Sequence, residues 1–504
     1  MPSFELFAVI ALVVFAGWDL IVGVVNDAVN FLNSAIGAKA ASRITIMIVA
    51  SLGMIIGATF SDGIIEVARK GIFTPSFFST GEVITIFLGV VLADIILLDL
   101  YSTFGLPTST TVSVVFELFG AALIMGFWKF GNFEEAWQVI NSASAIKIIL
   151  GILLSVAVAF VVGLVVQFFT RLLFTFDYKS RLESWGFLWC GVALTALMYY
   201  ILIEGGKHAN FLSASFKSAL QTNVWQIALG MFVGFSVLSF LLIKRRVNIL
   251  KFIILLGTAG LAMSFAGNDL ANFIGPSVAG VNAYLGADLA GSLPTPTWVL
   301  LGAGIVMSLA MSFSKKARTV TETEVSLGSH NEKDVQRWKP TIFAQKLVVI
   351  VTFVHGVVVS ILPKKFINWM SKRWVTPKTH GERGESFDLI RASVNLMVSA
   401  AIISYATAQK LPLSTTYVTF IVAMATSLAD RAWGKDCAAN RVTGVFSVVG
   451  GWFFTAAMAI TMAAIMTSLV FWARGYGLVF AVLIVGTMGY KLFRVHERRL
   501  ASKA

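Results

Sequence analysis

Charged side chains are scarce in this sequence: Lys, Arg, Asp and Glu make up 13% of its 504 residues, whereas an ordinary soluble domain carries about a quarter. Hydrophobic residues make up 57%, and the mean hydropathy is +0.83. These values exclude an ordinary soluble domain and indicate a polytopic membrane protein. Cysteine is rarer still. Only Cys190 and Cys437 are present; their spacing does not match that of metal ligands and gives no indication of a disulfide framework.

About a dozen stretches of roughly 20 apolar residues recur along the chain, each long enough to cross a hydrocarbon layer about 30 Å thick. The pattern predicts an all-α protein that crosses the lipid bilayer of a cell membrane, inner or plasma, many times. The first stretch has no basic segment before it and no small-residue cleavage site after it, so we expect a retained helix and no signal peptide. The net charge of +13 lies in short loops beside apolar stretches, which marks the cytoplasmic side and predicts no nucleic-acid partner.

Two polar motifs occur twice, in the same order. The first reads Asn-Asp-x-x-Asn-Phe, at Asn26–Phe31 and again at Asn268–Phe273. The second reads Pro-x-Ser-Thr-Thr, at Pro107–Thr111 and Pro412–Thr416. Because the basic loops predict opposite orientations for the two halves, the pattern indicates an inverted-topology repeat of transmembrane helices with re-entrant, broken-helix hairpins.

Motif spacing and charge divide the chain into five predicted parts. They are a first repeat (1–185), linking transmembrane helices (186–246), the first part of a second repeat (247–313), a charged cytoplasmic insert (314–391), and the remainder of the second repeat with a basic tail (392–504). The insert explains why 144 positions separate the two motifs in the second half but only 81 in the first. Its apolar stretch Ile342–Leu362 is predicted to be an interfacial helix, since a further span would break the parity between the halves.

The Pro-x-Ser-Thr-Thr stretches have the composition of a helix start inside a membrane. Proline fits the first turn of a helix, where its missing N–H is not needed. The hydroxyls that follow lie beside free backbone N–H groups at a helix N-terminus, which carries partial positive charge. This combination binds oxyanions. The candidate anion-binding residues are Ser109, Thr110, Thr111, Ser414, Thr415 and Thr416.

The Asn-Asp motifs offer oxygen ligands for a cation, because positions three and four apart share one face of a helix. An aspartate buried in a membrane is costly and by default indicates a functional site. Carboxylate and amide oxygens suit a sodium ion or a relayed proton. The candidate coupling residues are Asp27, Asn30, Asp269 and Asn272. Two further acids near the first Ser-Thr-Thr stretch, Asp99 and Glu117, either line the pathway or form structural pairs.

At these motifs the sequence resembles the inorganic phosphate transporter (PiT) family, whose members are sodium- or proton-coupled phosphate symporters. The resemblance rests on "VNDAVNFLNSAIG", "AGNDLANFIG", "LPTSTT" and "LPLSTT", and it covers both halves but not the insert. It implies that the first two hydroxyl residues of each stretch contact phosphate. It also implies that the Asn-Asp pairs help to hold cations and substrate: Asn26, Asp27, Asn268 and Asp269.

The sequence therefore predicts a secondary symporter that moves inorganic phosphate by alternating access, driven by a sodium or a proton gradient. No cofactor other than these coupling ions is predicted. A permease for sulfate or another tetrahedral oxyanion is the alternative, because hydroxyls and helix ends do not distinguish the two anions. The sequence is compatible with a monomer and with a homodimer.

A membrane-embedded hydrolase or phosphotransferase is the alternative from another class. Such an enzyme needs a nucleophile with a base, or a metal cluster. The sequence contains neither His-Glu-x-x-His nor Gly-x-Ser-x-Gly, and its five histidines are scattered. It also lacks the Gly-x-x-x-x-Gly-Lys-Ser/Thr loop that binds ATP phosphates. We therefore expect no enzyme, and a transporter that draws on an ion gradient.

Overall fold

The computed structural model describes residues 4–59, 71–199, 201, 213, 215, 218, 222–287, 295–336, 338–375, 385–408, 413–434 and 437–502. These residues form seventeen α-helices and three short 3-10 segments, and the one β-bridge among them joins Phe73 to Ile140. The helices are α1 (Phe4–Asp27), α2 (Val29–Gly37), α3 (Arg43–Thr59), α4 (Thr80–Phe104), α5 (Thr110–Phe130), α6 (Phe133–Gln138), α7 (Ser142–Phe174), α8 (Lys179–Tyr199), α9 (Val224–Lys244), α10 (Ile249–Tyr284), α11 (Thr297–Phe313), α12 (Lys315–Gly328), α13 (Ile342–Ile361), α14 (Lys364–Ser371), α15 (Leu389–Ala408), α16 (Thr415–Ala429) and α17 (Ala438–Ala501).

Nine of the described helices are long and apolar enough to cross a membrane, or ten if one bent pair counts as a single crossing. The prediction of an all-α, multi-pass membrane protein is confirmed, but the predicted number of spans, about a dozen, is higher. Two of the predicted spans, α3 and α16, are apolar helices of only 17 and 15 residues, shorter than the roughly 20 residues of a full crossing. Two others are the two parts of α17, which the count of nine takes as one helix.

The chain reverses direction within α17, at Arg474, where a φ of 43° and a ψ of −121° depart from helical values. A straight helix of its 64 residues would be about 96 Å long. Both ends of α17 instead contact α12, a helix of 14 residues. Arg441 donates a hydrogen bond to the carbonyl of Leu327, and the Lys315 ammonium lies 3.1 Å from the Glu497 carboxylate. α17 therefore consists of two antiparallel helices.

The helices that carry the two Asn-Asp motifs cross in opposite directions. Early in α1, the carbonyl of Leu12 accepts a hydrogen bond from Ser277, late in α10 (3.0 Å). Further along, Phe31 in α2 packs against Phe265, which lies earlier in α10, with ring centroids 5.5 Å apart. Residues later in α1 and α2 thus contact residues earlier in α10, so these helices are antiparallel. The two motifs meet where the helices cross.

One end of the helical body carries cationic side chains from several helices, and we call it the basic face, defined by Arg171, Arg245, Lys315 and Arg499. Arg499 donates to the carbonyl of Thr103 at the end of α4 (3.2 Å). The opposite face carries the Lys129–Glu82 ion pair, with an N–O distance of 2.7 Å. The helical hairpin of α8 and α9 starts and ends at the basic face, as the basic loops predict.

The two ends of the predicted cytoplasmic insert, 314–391, are buried in the helical body, and its cytoplasmic position stays a prediction. α12 bends by 71° from α11 and lies inside the helical body, where Glu324 is 1% exposed. At the other end, Asp388 is buried before α15 begins. These polar side chains are buried because they have partners: Glu324 accepts a hydrogen bond from Asn33 of α2, and Asp388 pairs with Arg171 of α7.

The apolar helix within that segment, α13, is exposed along nearly its whole length. Its principal partner is α17, and Phe343 packs edge-on against Phe446 with ring centroids 5.3 Å apart. A helix that is apolar all round suits lipid on every side, and α13 counts among the nine candidate spans by length and composition. Its predicted interfacial position stays a prediction.

Candidate functional site

The first Ser-Thr-Thr stretch begins a helix. α4 ends at Gly105, whose φ of 68° is the left-handed conformation that glycine adopts without strain. After the non-helical residues 106–109, α5 begins at Thr110. The hydroxyl oxygen of Ser109 accepts a hydrogen bond from the N–H of Val112 (3.2 Å). This serine cap satisfies one backbone donor and leaves others in the first turn of α5 available to a ligand.

The second stretch begins α16 in the same way. The hydroxyl oxygen of Ser414 accepts a hydrogen bond from the N–H of Tyr417 (3.1 Å), and the helix starts at Thr415. Pro412 lies outside the described residues. Both sequence motifs are therefore capped helix starts, each with further unsatisfied N–H groups in its first turn.

The two motif aspartates connect these helix starts, since each accepts one hydrogen bond from α5 and one from α16. The four donor–acceptor pairs are Thr110–Asp27 (2.9 Å), Thr416–Asp27 (3.1 Å), Thr415–Asp269 (2.8 Å) and Thr111–Asp269 (3.2 Å). Exchanging the two halves of the chain converts each of these bonds into another of the set. The structure thus brings the predicted anion-binding and coupling residues together in one place.

The last asparagine of each motif extends the same pattern. Asn30 donates to the hydroxyl of Thr416 (3.0 Å) and accepts from that of Thr419 (3.2 Å). Asn272 donates to the hydroxyl of Thr111 (3.1 Å). The amides therefore orient the threonines whose hydroxyl hydrogens the aspartates accept.

The first asparagine of each motif lies differently. Asn26 donates to the carbonyl of Leu106 (3.1 Å) and accepts from the N–H of Thr108 (2.9 Å). It therefore holds the non-helical segment before α5 in place, a positioning role that the sequence did not predict. Its counterpart Asn268 donates to the hydroxyl of Ser264 within α10 (3.4 Å). Their predicted contact with phosphate stays a prediction.

α5 and α16 run from this central site towards opposite faces. α5 ends beside the Lys129–Glu82 pair, and α16 ends at Asp430, whose carboxylate lies 2.6 Å from the Arg171 guanidinium. Their N-termini therefore face each other inside the protein. The dipoles of both helices place partial positive charge there.

The central site is closed from solvent: Asp27 is 0% exposed and Asp269 is 1% exposed. Within the described part of the chain, no lysine, arginine or histidine forms an ion pair with either aspartate. Two neighbouring carboxyl groups without a cation repel each other and are penalised by desolvation. The site therefore combines donors that suit an oxyanion with carboxyl groups that need a cation or a proton.

The two additional acids occupy other positions. Asp99 forms an ion pair with Lys316 at the start of α12 (2.5 Å), which is the structural-pair alternative. Glu117 belongs to a buried acidic cluster next to the central site: the Ser113 hydroxyl lies 2.8 Å from Glu117 and 2.5 Å from Asp94. Asp19 of α1 is a further buried acid, 1% exposed. One hydroxyl hydrogen satisfies two carboxyl groups only if one of them is protonated and donates in return.

Sequence reasoning missed two residues that helical periodicity could have found. Thr419 lies four positions after Thr415, so both occupy one face of α16. Asp19 lies two helical turns before Asp27, so it shares a face of α1 with the motif aspartate. Thr108, by contrast, contributes its backbone N–H, and no side-chain pattern predicts that role.

A buried ion-pair network fixes the other end of α16. Arg171 lies 2.6 Å from Asp430 and 2.8 Å from Asp388. Burial alone would raise the pKa of both carboxyl groups, but the Arg171 charge holds the pKa of each below its ordinary value. Burial and the charge of Arg391 lower the pKa of the neighbouring His330 to about 4. The network anchors the C-terminal end of α16 to α7. The N-terminal end of α16 faces the central site.

The sequence and the fold both match those of known proteins. A family model described as the phosphate transporter family matches residues 23–321. The chain belongs to this family. The match includes both Asn-Asp motifs and the first Ser-Thr-Thr stretch, whereas the second stretch lies beyond its end. The protein is therefore a membrane transporter and no enzyme.

Curated relatives of this family member include candidate phosphate permeases of three organisms. That of Thermococcus kodakarensis is 28% identical over 308 residues, which cover 57% of this chain and 70% of the relative. That of Pyrococcus furiosus is 28% identical over 321 residues, or 58% of this chain and 71% of the relative. That of Helicobacter pylori strain 26695 is 24% identical over 322 residues, or 58% of this chain and 56% of the relative.

A solved structure shares the fold. It is described as the sodium-dependent phosphate transporter, superposes with a TM-score of 0.66 at 16% identity, and covers 92% of this chain and 99% of its own. The likeness extends beyond the segment matched by the family model.

Proposed function

We propose that the chain is a secondary symporter for inorganic phosphate, coupled to sodium ions or protons and working by alternating access. The observation that carries the proposal is the meeting of two helix N-termini at two buried aspartates. Family membership supports phosphate as the substrate. The opposite directions of α1–α2 and α10, and of α5 and α16, support an inverted repeat, which is a common basis for two alternately open states.

The anion is held by the two helix starts. Backbone N–H groups in the first turns of α5 and α16 point towards the centre, and they suit phosphate oxygens. The hydroxyl hydrogens of Thr110 and Thr416 are directed at Asp27, so these threonines must rotate to donate to phosphate. The hydroxyls of Ser109 and Ser414 use only their oxygens in capping, and their hydrogens remain for the substrate.

Charge balance requires a cation in the same cycle. A phosphate placed beside the carboxylates of Asp27 and Asp269 would bring three anionic groups into a low-dielectric site, and each uncompensated charge there costs several kcal/mol. Sodium ions bound to the carboxylate and amide oxygens, or protons on the carboxyl groups, remove that cost. Sodium is favoured by the amides of Asn30 and Asn272, and the solved structure with this fold is described as sodium-dependent.

The carboxyl groups also favour phosphate over sulfate. Near neutral pH, phosphate retains at least one hydrogen and donates it to a carboxylate, whereas sulfate is fully ionised and only accepts hydrogen bonds. A sulfate ion would therefore leave unpaired acceptors facing each other, which is unfavourable in a buried site.

The basic face is the cytoplasmic side in this proposal, because excess lysine and arginine mark the inside of a membrane protein. α1 then begins outside and α10 begins inside. The two halves would exchange roles when the site opens to one side or the other.

Equilibrium binding of radiolabelled phosphate to the purified protein tests the proposal. Binding is measured while the sodium concentration and the pH are varied separately and unlabelled sulfate is added as a competitor. We expect binding to tighten as sodium or proton concentration rises, and sulfate to compete weakly. Two results would contradict the proposal: a phosphate affinity that is independent of both sodium concentration and pH, or displacement of labelled phosphate by sulfate as effectively as by unlabelled phosphate.

A further inference from the structure

α12 occupies the space between the central site and the basic face. It is a polar helix, yet it contacts α1, α2 and α4 of the first half and α16 and α17 of the second. At one point Thr319 lies against Gly105, immediately before the first Ser-Thr-Thr stretch: a Cβ on Gly105 would lie 2.9 Å from the Thr319 methyl group. α12 is therefore a polar helix that packs between the two halves.

Polar side chains lead from the central site to this helix. Asn30 of the site is followed one turn later on α2 by Asn33, whose amide donates a hydrogen bond to Glu324 of α12. Next to it, Asn395 donates to Ser34 (3.3 Å). A small cavity between these groups is lined by Asn33, Glu324, Asn395 and Arg391. The second carboxylate oxygen of Glu324 has no hydrogen-bond partner among the described residues.

On the other side of α12 a larger cavity of about 270 Å³ reaches towards the basic face. Thr319 and Thr323 of α12 line one wall, and Arg499 contributes a positive charge. Its inner end is Leu106, in the non-helical segment that leads to Ser109. α12 thus separates a positively charged vestibule from a polar route that ends at the site.

We infer that α12 is the barrier between the central site and the basic face, and that the Glu324–Asn33 hydrogen bond is the latch that keeps it closed. The inference rests on the proposed transport function, because a barrier has meaning only if the site exchanges its ligand with that face. Glu324 is well placed for the role: its hydrogen bond joins α12 to Asn33, one turn from Asn30 of the central site, and withdrawal of α12 breaks that bond and joins the two cavities.

Accessibility of a cysteine inside the polar route tests the inference. The reporter is Ser34→Cys, since Ser34 is buried and the native Cys190 and Cys437 are buried too. Its labelling rate with a membrane-impermeant thiol reagent is measured in inside-out and in right-side-out vesicles. The variants are Glu324→Ala, Asn33→Ala, the double variant, Glu324→Gln, and the matched control Glu322→Ala, which changes an exposed glutamate on the same helix.

Loss of the latch should raise labelling by up to about tenfold from the basic face only, as expected for one lost hydrogen bond. Glu324→Ala, Asn33→Ala and the double variant should label equally fast, because all three remove the same contact. Glu324→Gln keeps an acceptor and should label like the parent, as should Glu322→Ala. Thermal unfolding in detergent verifies that each variant is folded.

Unchanged labelling in a folded Glu324→Ala variant would overturn the inference. So would labelling that rises equally from both faces, since that indicates general loosening, or fast labelling of Glu324→Gln. The assay contains no phosphate, so its result does not depend on whether phosphate is the substrate. If the protein fails to bind phosphate, the proposed substrate is wrong whatever the labelling shows.

Discussion

Thr416, in the first turn of α16, donates its hydroxyl hydrogen to the carboxyl group of Asp27 in α1, at 3.1 Å. The contact joins residues 389 positions apart, and a matching contact joins Thr111 to Asp269. Each aspartate therefore accepts hydrogen bonds from both halves of the chain. This geometry couples whatever binds the carboxyl groups to the threonines of both helix starts.

The aspartates should carry the ion dependence of transport. Asp27→Asn and Asp269→Asn preserve size and part of the hydrogen bonding but remove the negative charge. We therefore expect each variant to lose the dependence of phosphate uptake on sodium or protons, measured in proteoliposomes at graded ion concentrations. Asp177→Asn, which changes an exposed aspartate, is the control. If both site variants transport with unchanged ion dependence, the aspartates are only structural partners of the helix starts.

The threonines should affect both ligands. Thr110→Val and Thr415→Val keep the shape but remove a hydrogen bond to a charged group, worth about 1.5–3 kcal/mol, or roughly ten- to a hundredfold in phosphate affinity. Because each hydroxyl also donates to an aspartate, the ion concentration needed for half-maximal uptake should shift as well. Thr85→Val, which removes a buried hydroxyl bonded within α4, should change neither value. A shift in phosphate affinity alone would argue against the shared role.

The buried arginine at the end of α16 should be essential for stability. Arg171→Met leaves Asp388 and Asp430 buried without their cation, and breaking such a pair costs about 3–5 kcal/mol. We expect a large drop in the thermal unfolding temperature in detergent. Lys129→Met, which breaks a partly exposed ion pair at the opposite face, should cost at most about 1 kcal/mol. Equal effects of the two substitutions would show that the Arg171 network contributes little.

His330 should make the protein less stable in mild acid. Its pKa of about 4 in the folded state lies below the ordinary value of about 6.5. Between these values the unfolded chain binds a proton that the folded chain does not, so the free energy of unfolding falls as the pH falls, by about 2 kcal/mol between about pH 6.5 and pH 5.

His330→Gln removes this proton uptake and should flatten the unfolding temperature over that range, while leaving the value near pH 7.5 nearly unchanged. The low pKa values of Asp388 and Asp430 act in a lower window, because their stabilisation is lost only as those carboxyl groups become protonated below about pH 4. Parallel pH profiles for the parent and the variant would contradict the assignment to His330.

The meeting of the two pairs of motifs was predictable because each motif occurs twice, whereas their binding roles stay predictions. Each motif is a short sequence pattern whose two copies can be compared directly: Ser109 with Ser414, and Asp27 with Asp269. Helical periodicity then places the coupling residues of each copy on one face of a helix. The number of spans was less accessible, since short helices such as α16 do not follow from hydropathy alone, whereas the turn at Arg474 falls between two predicted spans.

The position of α12 could not be predicted from its own composition. Its many charged and polar residues are typical of an exposed helix, and its burial depends on partners far away in sequence: Glu324 pairs with Asn33, 291 positions earlier. Asn26 illustrates the same limit, because its role depends on the backbone of the segment around Thr108. Such long-range pairing is fixed by tertiary packing.

The most direct measurement is the accumulation of radiolabelled phosphate in proteoliposomes that contain the purified protein, with an inward gradient of sodium or of protons imposed in separate experiments. We expect one of the two gradients to drive phosphate above its equilibrium concentration, and an ionophore that collapses that gradient to abolish the accumulation. We expect no accumulation with Asp27→Asn or Asp269→Asn. Phosphate that only equilibrates under both gradients, with or without the ionophore, would show that this site does not couple the movement of an oxyanion to that of a cation.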